Sequence, residues 1–347
     1  MAAQDQSFLS PAQLTEFCRF AGLDPFTVVP RTNGAHRDAL MAPDRVYYFP
    51  RTPEYAQSMR RELSFLEPLG GWFGAPVPRF LDVLECPSVF AGQIGVVSRL
   101  EGDNWEDIQE QFSYEFIEEA LTELVELFIL WHSTPASSVR SLADSSEVLK
   151  FSETPRMQVW LAASLDPRLL VSAVEGLHAD ILRFARGLDV DPSAVRNDRT
   201  VAKWVETTRA LASLAPVLLH GDMHEGQILL KPSAPVKISG ILDWEAVQFG
   251  SPLMDFSFHK WGYGRVWVFR ENFPALRRRL WGHYLDRRRI TNLSPDSLHL
   301  YCTLTETLRT IIEKEGGKRE YATATRKHFR EGLEEQLHTL ASATEFI

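Results

Sequence analysis

No lysine occurs before Lys150, no apolar run reaches the length of a membrane-crossing helix, and the only cysteines are Cys18, Cys86 and Cys302. Without a run of about 20 apolar residues no spanning helix is expected. The opening MAAQDQSF lacks the basic and apolar regions of a secretory signal. Three widely spaced cysteines make no disulfide framework and have no metal-ligand spacing, which points to a reducing cytoplasm. A formal net charge of −9 excludes the basic footprint of non-specific nucleic-acid binding, so neither nucleic acid nor membrane is expected as a partner. What is present is ordinary for a globular chain of one or two domains: 347 residues, 44% apolar and 24% charged.

The most informative stretch runs from Pro216 to Ser257. An apolar run, Pro216 to Leu219, ends in the polar cluster His220 to Gln227, and Ile228 to Leu230 follow at once, which reads as strand, loop, strand. A turn at Lys231 to Pro235 sends Val236 to Leu242 back as an antiparallel partner. Pairing residue 230 near 236 places Asp243 opposite about residue 223, with Gln227 nearby. Asp222, Gln227 and Asp243 would then offer oxygen donors to a hard divalent cation that also takes phosphate oxygens. A zinc pair at His220 and His224 is the remote alternative, because Gly221 and Gly226 argue for loop rather than helix. A lone strand-end Asp243 capping a turn is the ordinary one.

HGDMHEGQ followed by ILDWEAVQFGSPLMDF resembles the aminoglycoside phosphotransferase and choline-kinase-like family, whose pattern is H-G-D-x-x-x-x-N, then I-D-W, then G-x-P-x-x-D. Gln227 stands where that family has Asn. The resemblance implies an α+β, two-lobed protein-kinase-like fold, with a nucleotide-binding lobe over 1–99 and a catalytic and acceptor-binding lobe over 100–347. It implies transfer of the γ-phosphoryl group of ATP or GTP, with Mg²⁺, to a hydroxyl of a small-molecule acceptor. Asp222 would be the base, Gln227 and Asp243 the metal ligands, and His220 and Asp255 the supports of the loop. The segment between Asp243 and Asp255 is too short for a phosphorylated activation loop, which disfavours protein substrates. A kinase-like nucleotide-binding protein with weak or no turnover is the second reading, motivated by the missing lysine and by Gln227.

The N-terminal region is expected to follow the same plan. Ser10-Pro11 opens a helix to about Phe20, Val28 to Arg51 reads as strand, loop, strand, strand, and Thr52-Pro53 opens a second helix. Asn33 and Gly34 stand where the family carries its nucleotide-covering loop. Glu62 falls on the inward stripe of the second helix, with Tyr55, Met59 and Leu66, and a buried carboxylate needs a cation. With no strand lysine, Arg51 is the expected partner, a surface pairing with Arg61 being the alternative. An extended stretch starts at Ala75 to Pro78, and Gln93 to Leu100 is a strand ending at Arg99 and Leu100, where the family has its adenine-contacting hinge.

Residues 100–139 are strongly acidic and contain no lysine or arginine, which suits either a cationic substrate or a solvated face. Within them Ile117, Ala120, Leu121, Leu124, Phe128 and Trp131 mark an amphipathic helix. A Ser-rich loop follows over Thr134 to Ser152, with helical patterns from Gln158, Pro192 and Val201 and from Ser294 to about Ala341. Arg265 to Arg289 holds eight arginines against two acidic residues, so an anionic acceptor is equally arguable. Acceptor identity and oligomeric state are not encoded in any motif.

Overall fold

The computed structural model describes residues 8–32, 36–73, 76–108, 112–134, 169–231, 237–250, 252, 255, 273–316 and 326–345. The chain divides into two compact units, Met1–Ile108 with Glu225–Ala246, and Gln109–His224 with Val247–Ile347.

The first unit is built on an antiparallel sheet. Its strands are β1 (Val29–Arg31), β2 (Arg37–Met41), β3 (Arg45–Pro50), β4 (Phe80–Glu85) and β5 (Gln93–Ser98), in the order β1-β2-β3-β5-β4. Helix α1 (Pro11–Ala21) starts on a reciprocal cap, Gln13 N–H to Ser10 Oγ at 3.3 Å and Ser10 N–H to Gln13 Oε1 at 3.0 Å. It ends where Gly22 turns left-handed at φ 68°. Alternation along β3 sorts its side chains between two faces. Tyr47 and Phe49 join Phe17 and Leu40 in an apolar cluster, whereas Tyr48 faces helix α2 (Pro53–Phe73) with Arg37. Helix α2 packs tightly on β5, where a Cβ added to Gly95 would meet Met59 Sδ at 2.9 Å. The expected strand-and-helix order holds from Ser10 to Ser98, except that β4 begins at Phe80 rather than near Pro78.

A second, three-stranded sheet completes this unit: β6 (Asp103–Asn104), β8 (Ile228–Lys231) and β9 (Lys237–Ile241), in the order β6-β8-β9. The expected hairpin forms, but with a different register. Lys231 pairs with Lys237 and Leu230 with Ile238, and a bulge between Leu229 and Leu230 brings Ile228 opposite Ile241. Continued two residues, the ladder brings Asp243 level with about Gly226 rather than Met223, because the hairpin closes on Lys231 and Lys237 and the bulge adds one residue more.

The second unit is mainly helical. Its helices are α4 (Tyr114–His132), α5 (Leu170–Leu188), α6 (Asp198–Ala212), α7 (Phe273–Arg287), α8 (Pro295–Gly316) and α9 (Arg326–Glu345), after the short α3 (Trp105–Ile108) of the first unit. Strands β7 (Val217–Leu219) and β10 (Gln248–Gly250) pair antiparallel. The expected helix at Pro192 is only the single turn Ser193–Val195, since Asn197 caps a new helix by accepting from Thr200 N–H at 2.8 Å. Gln158, most of the Ser-rich stretch, Trp261, Tyr263, Trp267 and Phe269 lie outside the described residues. Among the described residues no helix is long and apolar enough to cross a membrane.

Candidate active site

On the first unit, the functional side chains are placed by strand alternation and by one tight turn. Asp243 follows β9 with φ 62°, a left-handed conformation that costs a non-glycine residue about 1 kcal/mol. Leu242 N–H donates to Gln227 O at 2.8 Å, and this bond fixes the two chain segments side by side. Gln227 Nε2 donates to Asp243 Oδ2 at 2.9 Å, and Arg37 Nη2 donates to Asp243 Oδ1 at 2.6 Å. The expected meeting of Gln227 and Asp243 is thus present.

Glu62 is completely buried, as its place on the inward stripe requires, but its partner is Arg37 and not Arg51. Arg37 Nη1 pairs with Glu62 Oε2 and Nη2 lies 3.4 Å from Oε1, while Trp244 N–H donates to Oε1 at 3.2 Å. Arg51 instead grips Asp38, at 2.6 and 3.2 Å, and Thr32 O at 2.8 Å. The reason is alternation. Ala39 pairs with Tyr48, so Arg37, two residues along β2, shares Tyr48's face and turns towards α2. Its guanidinium sits 4.0 Å from the centre of the Tyr48 ring. Burial alone would lower the Arg37 pKa, but Glu62 and Asp243 reverse this and hold it well above its ordinary value. The alternative of a surface Glu62 paired with Arg61 is excluded by the same burial and partners.

Next to this array, His36 Nδ1 meets Glu245 Oε1 at 2.5 Å, and Ser58 Oγ donates to Glu245 Oε2 at 3.3 Å. The hydrogen bond that His36 donates to Glu245 raises the His36 pKa against the opposing effect of burial. Arg99 ties down the β2-β3 turn through Nη1 to Ala42 O at 3.0 Å and its N–H to Asp44 O at 2.9 Å. Leu100 packs so close to β9 that a Cβ on Gly240 would lie 2.9 Å from its Cδ1. Asn33 and Gly34 lie outside the described residues.

The second unit carries Asp222, His220 and Asp255. The turn after β7 needs Gly221 at φ 86°, a conformation glycine adopts freely. Asp222 N–H donates to His220 Nδ1 at 3.3 Å. Buried Asp255 accepts His220 N–H at 3.1 Å and Gly221 N–H at 2.9 Å, so both expected loop supports do contact the loop. It also accepts Trp131 Nε1–H and His132 Nε2–H, each at 3.0 Å, and His132 Nδ1 lies 2.8 Å from Tyr284 Oη. Burial raises the Asp255 carboxyl, but the hydrogen bonds it accepts, from His132 first and also from Gly221 N–H, outweigh this and leave the pKa below its ordinary value.

Two charged stretches left open by the sequence prove to meet each other. Glu118 of α4 pairs with Arg279 of α7, and Glu126 with His283 and with Arg287 Nη1, the last at 3.1 Å. For these side chains, the acidic and the arginine-rich helices satisfy one another.

Sequence reasoning missed Arg37, Glu245, His132 and Tyr284. The missing lysine was the available signal for Arg37, once β2 is paired with β3. Nothing local in LFILWHSTP marks His132 as more than a helix end.

The residues 29–293 match the model of a family described as phosphotransferase enzymes. The chain belongs to the phosphotransferase enzyme family. Among curated proteins no relative matches by sequence. Similar solved structures include a variant of aminoglycoside 2'-phosphotransferase IIIa in complex with GDP, 15% identical with a TM-score of 0.60, covering 96% of this chain and 98% of that one. A macrolide 2'-phosphotransferase from Brachybacterium faecium is 17% identical with a TM-score of 0.52, covering 93% and 97%. A streptomycin-ATP complex of APH(2")-IIa is 14% identical with a TM-score of 0.51, covering 99% of each chain. These likenesses establish the kinase-like phosphotransferase fold.

Magnesium is the metal implied for such a family, and the donor set here is chemically suited to it. Asp243 supplies a carboxylate and Gln227 an amide oxygen, both hard ligands, leaving the remaining positions of an octahedron to phosphate and water. To serve, Gln227 must turn its amide so that Oε1 replaces Nε2, and Asp243 must exchange its contact with Arg37. Among the described residues no group of three or more His, Cys, Asp or Glu clusters as a metal site, and an Asp-Gln pair with phosphates does not require one.

Proposed function

We propose that the chain transfers the γ-phosphoryl group of ATP or GTP to a hydroxyl of a small molecule. The contact of Asp243 with Gln227, held against the buried Arg37–Glu62 pair, carries this reading. Family membership supports it, as do similar structures that hold GDP, ADP or, with streptomycin, ATP. Residues 1–99 would serve the nucleotide, with Asn33, Gly34, Arg51, Arg99 and Leu100 along its path, and 100–347 the acceptor.

Asp243 and Gln227 would hold Mg²⁺, which neutralises phosphate charge. Arg37 supplies the fixed cation that the lysine-free strands otherwise lack, and Glu62 orients it. Asp222 accepts the acceptor's proton, its backbone kept in place by His220 and Asp255. Positioning and charge neutralisation supply most of the rate. Asp222→Asn is expected to keep nucleotide affinity while lowering turnover by about 10²- to 10⁴-fold. The measurement is phosphate transfer from ATP and GTP across a metabolite library found by thermal shift, and unchanged turnover in this variant would remove Asp222 from the role of base.

A second reading, a nucleotide binder with little turnover, draws on one observation: both oxygens of Asp243 already hold donors, Arg37 and Gln227. Nucleotide binding with Mg²⁺ but no transfer to any hydroxyl compound would favour it.

A further inference from the structure

The loop that carries Asp222 is anchored by more than the two residues of its own motif. Asp255 is fully buried and accepts four donors, three on Oδ2 from Trp131, His132 and His220 N–H, and one on Oδ1 from Gly221 N–H. Two of those donors are backbone groups immediately before Asp222. A carboxylate can satisfy both only while its plane is fixed, and Trp131 and His132, adjacent at the end of α4, fix it with two further donors on Oδ2.

The proton arrangement follows from the groups themselves. His132 is buried and its imidazole is held neutral by that burial, so it has one donor and one acceptor nitrogen. The carboxylate of Asp255 only accepts, so Nε2 carries the proton. Nδ1, 2.8 Å from Tyr284 Oη, must then accept the phenolic proton. A directed line of donors runs from α7 through α4 to the loop: Tyr284 to His132, His132 to Asp255, with Asp255 accepting from His220 and Gly221. His220 Nδ1 in turn accepts Asp222 N–H.

We propose that His132 and Tyr284 are positioning residues for the Asp222 loop, setting the plane of Asp255 and through it the backbone of residues 220 to 222. Tyr284 is distant in sequence from the loop it controls and belongs to an arginine-rich helix whose Arg279 and Arg287 also pair with α4. The catalytic consequence rests on the proposed role of Asp222, whereas the positioning itself does not.

The test compares the full chain with His132→Leu, His132→Gln and Tyr284→Phe by hydrogen exchange of backbone amides and by Mg·ATP hydrolysis with water as acceptor. Gln can place an amide N–H where the imidazole Nε2–H stands, and Leu cannot. His132→Leu should speed exchange over residues 218–224 by at least about tenfold while α5 keeps its protection. It should also lower kcat for hydrolysis by at least about tenfold with the KM for ATP within about twofold, an orientation effect rather than a binding one. His132→Gln should recover most of both losses. Tyr284→Phe, which removes only one oxygen and keeps the ring packing, should raise exchange in the same segment by a few fold, and it decides the matter if His132→Leu does not fold. Unchanged exchange over 218–224 in both His132→Leu and Tyr284→Phe overturns the proposal, and so does a Gln variant as impaired as the Leu variant. If the parent hydrolyses and transfers nothing, the phosphotransferase reading fails, and the exchange data alone decide the positioning.

Discussion

Asp255 and Asp243 are two carboxylates of one motif region, and their surroundings differ in kind. Asp255 is sealed from solvent and held by four uncharged donors, two of them main-chain. The Asp243 side chain is 28% exposed, sits on a left-handed backbone, and is held by a guanidinium and one amide. Neutral donors fixed in a core cannot be exchanged for anything without unfolding, so Asp255 is a permanent structural acceptor. A cation and a rotatable amide can give way to another cation, so Asp243 is built to change partners. The difference teaches where rigidity is spent: on the unit that carries the proposed proton acceptor, with adjustable charge reserved for the unit that carries the proposed metal ligands.

The largest test of that contrast is stability. Asp255→Ala leaves several buried donors without acceptors and should cost about 3 to 5 kcal/mol. Asp243→Gly removes a strained residue, a gain of about 1 kcal/mol, and leaves Arg37 still paired with Glu62, so its net effect should stay within about 1 kcal/mol. Urea unfolding of the two variants compares them directly. Equal losses would erase the distinction between the fixed and the adjustable carboxylate.

Next in size is the ion pair beneath Asp243. Arg37→Met strands buried Glu62 and should cost about 3 kcal/mol, Glu62→Leu leaves Arg37 with Asp243 and should cost less, and the double variant should lose far less than the sum. The same cycle between Arg51 and Glu62 should be additive, because Arg51 is paired with Asp38. Coupling found with Arg51 and not with Arg37 would reverse the assignment.

Much of this was legible in the sequence, and what was not has a physical reason. Caps, breaks and periodicity located α1, α2, α4 and the β8-β9 hairpin, because those signals act within a few residues. The need of Glu62 for a cation was equally plain, since helical spacing alone buries it. Which arginine answers depends on strand pairing, and Arg37 became visible only when Ala39 was set opposite Tyr48. The hairpin register was misjudged because neither the closing pair Lys231–Lys237 nor the bulge has a sequence signature in ILLK. His132 and Tyr284 were unreadable because the partners of His132, Asp255 and Tyr284, each lie more than a hundred residues from it in the chain.

The histidines sharpen the comparison through pH. In the second unit, burial together with Arg277 and Arg278 pushes the His299 imidazole down to about 2, and burial lowers His132 as well. Such groups stay neutral when folded but take up a proton when unfolded, so their contribution is complete above the unfolded pKa near 6.5 and falls by about 1.4 kcal/mol per pH unit below it. In the first unit His36 is raised by Glu245, so its contribution is present below about pH 6.5 and is lost as pH climbs through its folded value. Thermal midpoints between pH 5 and 8 should therefore fall less steeply on the acid side for His299→Leu, and less steeply on the alkaline side for His36→Gln. Parallel curves for parent and both variants would mean that these histidines titrate alike in the folded and unfolded chain.

The smallest effect concerns Gln227, where the adjustable side of the comparison is most exposed. Its amide nitrogen faces Asp243 Oδ2 at 2.9 Å, so in this arrangement it acts as a donor that partly neutralises the carboxylate. Taking a metal requires the amide to turn over and present its oxygen, and the extra methylene relative to Asn must then coil back to meet ligand distances near 2.0 to 2.1 Å. Fixing that additional torsion costs at most about 1 kcal/mol, a few-fold in affinity. Gln227→Asn gives up the torsion and should bind Mg²⁺ with nucleotide as well as the parent or a few-fold tighter, while Gln227→Ala, which offers no oxygen, should bind more weakly. Because the amide also restrains Asp243 before any metal arrives, Gln227→Ala should respond more strongly to added salt in the first unit's stability, Arg37 then being the only side chain hydrogen-bonded to that carboxylate among the described residues. Calorimetric titration with Mg²⁺ and ATP reads the first effect, and thermal melts across ionic strength read the second. If Gln227→Ala matches the parent in both, the amide neither binds metal nor holds Asp243, and the adjustable carboxylate is governed by Arg37 alone.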